Sequence, residues 1–159
     1  MRSNHTKLLL MQGQPAIGTF CLGASPLIAE MLGHAGFDFV MVDLQHGECT
    51  PDRLQGMLQA LSATPATPLV RVPANTPVDI QRALDLGAAG VVVPTVNTRA
   101  EAEAVVQSVR YAPTGVRSWG PLRGMLYGGA DYFAQAHLEL LTIVMIESTE
   151  GCKNAHEIL

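Results

Sequence analysis

No stretch of this sequence is basic enough to hold a nucleic acid. Its 159 residues carry 10 lysines and arginines against 14 acids, a net charge of −4 at pH 7, whereas phosphate backbones are bound by clustered positive charge. A few local arginines still suffice for small anionic metabolites. Cysteine is scarce too: Cys21, Cys49 and Cys152 are odd in number, scattered and without a CxxC pair. That argues against a disulfide framework and a cysteine zinc site, and predicts reduced thiols, buried or half-buried. No run reaches the ~20 apolar residues of a membrane span. The N-terminal apolar run, Leu8 to Met11, is too short for a secretory signal and is followed at once by Gln12 and Gly13. The expectation is a cytoplasmic protein with no membrane partner.

What is present suits a compact chain. Apolar residues make up 48% of it and charged residues 15%, the balance of a globular protein with a real core. The length fits one domain over residues 1–159. Ile17–Leu22, Phe37–Val42, Pro68–Val72, Gly90–Val93 and Leu141–Ile146 read as strands. Between them, Ser25-Pro26, Thr50-Pro51 and Thr76-Pro77 each set a capping hydroxyl before a first-turn proline, and Thr98 precedes a helix over 100–109. Leu54, Met57, Leu58 and Leu61 share one helical face. The segment 111–130 holds two prolines, five glycines and Trp119, and is expected to be a long functional loop with one helical turn. Helix resumes at Asp131, and a last helix starts near Thr149 and runs to Leu159.

Alternating strands and helices imply a parallel sheet with right-handed crossovers. Two architectures fit, a doubly wound open sheet and a (β/α)8 barrel of the TIM type. The first normally shows a glycine-rich phosphate turn after its first strand, and Gly18 and Gly23 lack that spacing. The second puts its chemistry at the C-terminal strand ends, where this chain has Asp43 with His46, then Arg71, then Glu147. A barrel has eight units and this sequence supplies five. The expected fold is α/β, the first five βα units of a barrel, truncated or completed by another chain.

Asp43 three residues before His46, in the turn after a buried strand, suggests a carboxylate that fixes the imidazole tautomer for acid–base work; a loop histidine bonded to backbone is the alternative. Arg71 is a charge inside an apolar strand and must meet a carboxylate, from a ligand or from Asp43 or Asp85. Glu147 could ligate a hard divalent cation or cap the following helix. Asp85 ends a helix, where an acid opposes the dipole and calls for a partner or for solvent. His34, His137 and His156 have no ligand spacing, and Arg117 and Arg123 in the long loop receive no role.

Five stretches occurring in order, Ala35-Gly-Phe-Asp-Phe through Val-Asp-Leu-Gln-His46, Leu69-Val-Arg-Val-Pro73, Leu84-Asp-Leu-Gly-Ala-Ala-Gly-Val-Val-Val-Pro94, Arg110-Tyr-Ala-Pro-Thr-Gly-Val-Arg117 and Met145-Ile-Glu147, resemble the HpcH/HpaI aldolases, class II pyruvate-dependent enzymes. The resemblance implies a (β/α)8 barrel, assembled as a homo-oligomer and usually a hexamer. It implies reversible cleavage of a 4-hydroxy-2-oxo acid to pyruvate and an aldehyde, helped by a divalent metal, Mg²⁺, Mn²⁺ or Co²⁺. By the same resemblance His46 is the acid/base oriented by Asp43, Arg71 binds pyruvate, and Gln45 joins it in the substrate site. Glu147 is then one metal ligand, and Asp85 a carboxylate near the subunit interface. Many members have Glu where this chain has Gln45, and the second metal ligand, an Asp after the sixth strand, has no counterpart among these residues. Two other readings stand beside this one: a citrate-lyase-β-like lyase acting on acyl-CoA substrates, against which the His46 motif argues, and a non-catalytic barrel remnant.

Overall fold

The structure, a computed structural model, describes residues 1–159. Five short strands, β1 (Gly18–Cys21), β2 (Phe39–Asp43), β3 (Thr67–Arg71), β4 (Gly90–Val93) and β5 (Leu141–Val144), pair in parallel in the order in which the chain visits them. A doubly wound sheet reverses its strand order at a switch point. No reversal occurs here, so the sheet is the wall of a barrel and supplies its first five strands.

Nine helices accompany the strands: α1 (His5–Met11), α2 (Pro26–Gly33), α3 (Pro51–Ser62), α4 (Pro77–Asp85), α5 (Arg99–Val109), α6 (Leu122–Gly128), α7 (Tyr132–Glu139), α8 (Thr149–Lys153) and α9 (Ala155–Ile158). The three threonine- or serine-proline starts fall where expected, yet only Thr76 makes the capping bond, accepting from the Asp79 N–H at 3.2 Å. At Ser25 and Thr50 the proline alone opens the helix, because its fixed φ suits the first turn and it has no N–H to satisfy. Thr98 and Glu101 close a reciprocal capping box on α5.

The pleat sorts the strand residues into two layers. Val40, Val42, Val70, Val91 and Val93 are fully buried under the helices, against Leu54, Leu58, Leu61, Ile80, Leu84 and Val105. Met41, Leu69 and Val92 point the other way and pack with Phe39, Leu141, Ile143 and Met145 on the concave face. Burying a side chain of this size contributes roughly 1.5–3 kcal/mol, so the helix-covered layer dominates the stability of the wall. β1 and β5 each pair on one side only.

The N-terminal apolar run, to which the sequence assigned no element, forms α1, capped when Asn4 accepts from the Lys7 N–H at 3.0 Å. Three expectations are corrected. The segment 111–130 holds a seven-residue helix, α6. β5 stops at Val144, so Glu147 stands three residues beyond the strand rather than on its end. The last helix splits at Asn154, whose side chain donates to the Asn97 carbonyl at 2.8 Å and pulls the chain out of register. No helix is long and apolar enough to cross a membrane.

Candidate active site

Parallel register puts Asp43 beside Arg71 at the C-terminal ends of β2 and β3. The side chains meet as a two-pronged ion pair, Nε to Oδ1 at 2.9 Å and Nη2 to Oδ2 at 2.6 Å. The Asp43 carboxylate is wholly buried, while the Arg71 guanidinium keeps 11% of its side-chain surface open. Oδ1 also accepts the backbone N–H groups of Gln45 at 3.0 Å and His46 at 3.3 Å. Burial alone would push this carboxyl up, but the guanidinium and the two amides prevail and hold it below the usual carboxylate range. Asp43 in turn raises Arg71, and the nearby Glu147 charge adds to the effect.

This corrects the role foreseen for Asp43. Its carboxylate does not touch the His46 imidazole, which is exposed and without a protein partner. It grips the backbone of the turn carrying that ring. Arg71 takes up both oxygens through Nε and Nη2 and leaves Nη1 without a protein acceptor. Gln45 lies alongside, its Oε1 buried and unpartnered. Gly47 allows the turn to close. A Cβ there would stand 2.5 Å from the Asp43 carbonyl oxygen and 3.0 Å from that of Leu22. The turn is pinned to the end of β1 where the Glu48 N–H donates to Leu22 O at 2.7 Å.

Phe20 was not foreseen. Its ring, 46% exposed, lies 4.9 Å from the Arg71 guanidinium carbon, a cation–π contact. The available signal was a large aromatic side chain in the first strand, two residues from its end. Thr95 was missed as well: it follows β4, has a left-handed φ of 54°, and donates its N–H to Glu147 Oε1 at 2.7 Å.

Glu147 offers one hard-cation ligand, and no cluster of three or more His, Cys, Asp or Glu residues surrounds it or forms elsewhere. Hard divalent ions need several oxygens, so the residues of this chain do not close a metal site by themselves.

Asp85 belongs to a different place. α4 runs back against the strands, so its last residue lies at their N-terminal end. There Asp85 accepts from Arg117 Nη2 at 2.7 Å, which is the partner its position at a helix C-terminus demanded. The Arg117 side chain is fully buried, with its guanidinium carbon 4.7 Å from the Tyr111 ring and 5.6 Å from the Tyr132 ring. Arg123 folds over Tyr127 and donates to the Leu86 carbonyl. Cys21 and Cys49 are buried and free, and burial first, then the neighbouring Cys21 and Asp52, pushes the Cys49 thiol up to about 11. Cys152 is exposed rather than buried.

Residues 16–159 match the sequence profile of the HpcH/HpaI aldolase/citrate lyase family. The chain belongs to that family. It is 38% identical over 156 residues to a hydroxypyruvate/pyruvate aldolase of Rhizorhabdus wittichii, covering 98% of this chain and 62% of the relative. To a 5-keto-4-deoxy-D-glucarate aldolase of Escherichia coli it is 38% identical over 157 residues, covering 98% and 61%. The chain thus spans about three fifths of the length of the curated relatives it matches. Among solved structures it resembles an HpcH/HpaI aldolase/citrate lyase family protein of Burkholderia cenocepacia with a TM-score of 0.88 and 30% identity, over 98% of this chain and 64% of that one. A citrate synthase, SbnG, matches with a TM-score of 0.86 and 33% identity, over 98% and 61%. Both curated relatives are named aldolases, and the solved structures extend the likeness to a citrate synthase.

Proposed function

We propose that this HpcH/HpaI chain carries the substrate-binding half of an aldolase site that cleaves a 4-hydroxy-2-oxo acid to pyruvate and an aldehyde. The observation that carries the reading is the Asp43–Arg71 pair, with its carboxylate buried and used up and its guanidinium edge left open at the strand ends. Arg71 Nη1 is free to receive the carboxylate and oxo oxygens of the substrate, and its fixed charge stabilises the enolate that forms on cleavage. His46 accepts the proton of the C4 hydroxyl as the C3–C4 bond breaks, the electron pair passes into the pyruvate enolate, and C3 is protonated afterwards. Gln45 lines the substrate beside Arg71. Glu147 is the residue of this chain that would ligate Mg²⁺, Mn²⁺ or Co²⁺, which when bound supplies Lewis-acid polarisation of the oxo acid. The further ligands must come from outside these residues. Homo-oligomeric assembly, with Asp85 near the contact, belongs to the same reading, as do a single domain over 1–159 and a cytoplasmic location.

The likeness to the citrate synthase SbnG supports a second reading, carbon–carbon chemistry on a larger acid or a thioester. The two part in one assay. The chain alone, and the chain fused to the part of the 5-keto-4-deoxy-D-glucarate aldolase that it does not cover, are given 4-hydroxy-2-oxo acids with each of the three metals. Pyruvate is read through lactate dehydrogenase. Pyruvate from the fusion is the expected result. A folded fusion that releases none under any metal overturns the aldolase reading; turnover of a CoA thioester instead establishes the second, and silence on both leaves a non-catalytic remnant.

A further inference from the structure

Thr95 is the one non-glycine residue of the chain with a positive φ, at 54°. For a β-branched side chain this region is unfavourable, since Cβ crowds the backbone carbonyl. A conformation of that kind persists only where its surroundings fix it, and it concentrates at functional sites. The surroundings are visible. Pro94 precedes it with a fixed φ, and Val96 follows it fully buried, its N–H donating to the Met145 carbonyl at 3.1 Å. Between these anchors the left-handed turn takes the Thr95 N–H away from the sheet ladder and directs it to Glu147 Oε1 at 2.7 Å. Around this bond the β4–α5 and β5–α8 connections are stitched together. Ser148 Oγ bonds Asn97 Oδ1, and Asn154 Nδ2 donates to Asn97 O. The Ser148 hydroxyl also caps α8 through the Gly151 N–H at 2.9 Å.

We propose that Thr95 is a positioning residue, its strained backbone fixing the Glu147 carboxylate by one oxygen so that the other faces the mouth of the barrel beside Arg71. This rests on reading Glu147 as a group of the aldolase site. A loop carboxylate three residues past its strand has free torsions, and a charge-assisted bond from a rigid amide restricts them. A turn needed only for packing would be better served by glycine or asparagine, which tolerate the left-handed region. Thr95 keeps the turn narrow where glycine would loosen it.

The test uses the ¹⁵N-labelled chain. The Thr95 amide should exchange slowly despite its exposed residue. Glu147→Gln should speed that exchange on the order of tenfold by turning a charged acceptor into a neutral one, while Glu150→Gln, on the same connection, should not. Exchange unchanged by Glu147→Gln overturns the proposal. A second arm titrates Mn²⁺ into the fusion with the missing part of the 5-keto-4-deoxy-D-glucarate aldolase, which supplies the ligands this chain lacks, and follows broadening around Glu147. Thr95→Gly should weaken the binding several-fold with the melting temperature held or raised, and Thr95→Asn should restore it. Equal affinity in wild type and Thr95→Gly overturns the positioning role. Absence of Mn²⁺ binding by the unsubstituted fusion sinks the metal part of the functional reading instead, and the exchange arm then decides Thr95 alone.

Discussion

Two arginine–aspartate pairs stand at opposite ends of the sheet, and they are buried the opposite way round. At the C-terminal end Asp43 is fully buried and Arg71 keeps 11% of its side chain open; at the N-terminal end Arg117 is fully buried and Asp85 keeps 26% open. The group that remains accessible decides what each pair can do. Arg71 presents an unused donor edge to the barrel mouth, with an aromatic ring across it and Glu147 nearby. Arg117 spends its charge inward on Asp85, the Tyr132 hydroxyl at 3.2 Å and two ring faces. One pair is arranged to receive a ligand and the other to fasten the loop after α5 to the end of α4.

The largest stability effect should therefore come from the structural pair. Asp85→Asn leaves a buried guanidinium short of its counter-charge, and breaking such a pair costs about 3–5 kcal/mol. Chemical denaturation should show this loss, and a loss near zero would mean that the tyrosine rings alone neutralise Arg117. Arg71→Lys is the counterpart. Lysine keeps the charge but cannot bridge Asp43 and reach a substrate carboxylate at once. Turnover of the metal-supplied fusion enzyme should fall on the order of 10²-fold, while the midpoint of unfolding moves little. Equal stability losses at both sites would erase the distinction between the pairs.

Two glycines sharpen the contrast. A Cβ on Gly115 would lie 2.2 Å from the Arg110 carbonyl oxygen and 2.6 Å from that of Gln107. Those same carbonyls accept the Arg117 and Val116 N–H groups. Gly115→Ala should cost about 1–3 kcal/mol through this overpacking and leave turnover per folded molecule unchanged. Gly47→Ala presses on the Asp43 and Leu22 carbonyls instead and displaces the turn that carries His46. It should cost no more stability but lower turnover roughly tenfold, as a misplaced acid/base does. Paired measurements of melting and turnover distinguish the two variants; a drop in turnover at Gly115 would sink the separation.

How far the sequence revealed this division depends on the range of each signal. The strand runs, the proline helix starts and the Leu54–Leu61 face are local patterns, and the structure reproduces them. The position of Asp43, Arg71 and Glu147 near strand ends was legible because a barrel ties chain position to spatial position. The partners were not. Arg71 had Asp43 and Asp85 as equal candidates, and the choice needed the register between β2 and β3. Arg117 looked idle because its partners lie 32 residues back and 15 ahead, at Asp85 and Tyr132. Thr95 carried no sequence signal, since threonine does not announce a left-handed backbone and its partner is 52 residues away.

Acid should report the smallest effect, and it tests the ligand-facing pair alone. Asp43 is held below the ordinary carboxylate range in the folded protein, whereas unfolded aspartate titrates near ~3.9. A depressed folded pKa means that the unfolded state takes up protons first as the pH drops. The stabilisation is therefore complete above pH ~4 and is lost as the pH falls below that value through the folded pKa. Asp43→Asn removes this proton linkage. At pH 7 the variant should melt below the wild type, and the two melting curves should converge as the pH is lowered from about 4. Salt should narrow the gap little, because the carboxylate lies away from water and is poorly screened. Melting temperatures that run parallel down to pH ~3 would mean that the Arg71–Asp43 pair adds no net stability, and that Asp43 serves only to aim the guanidinium.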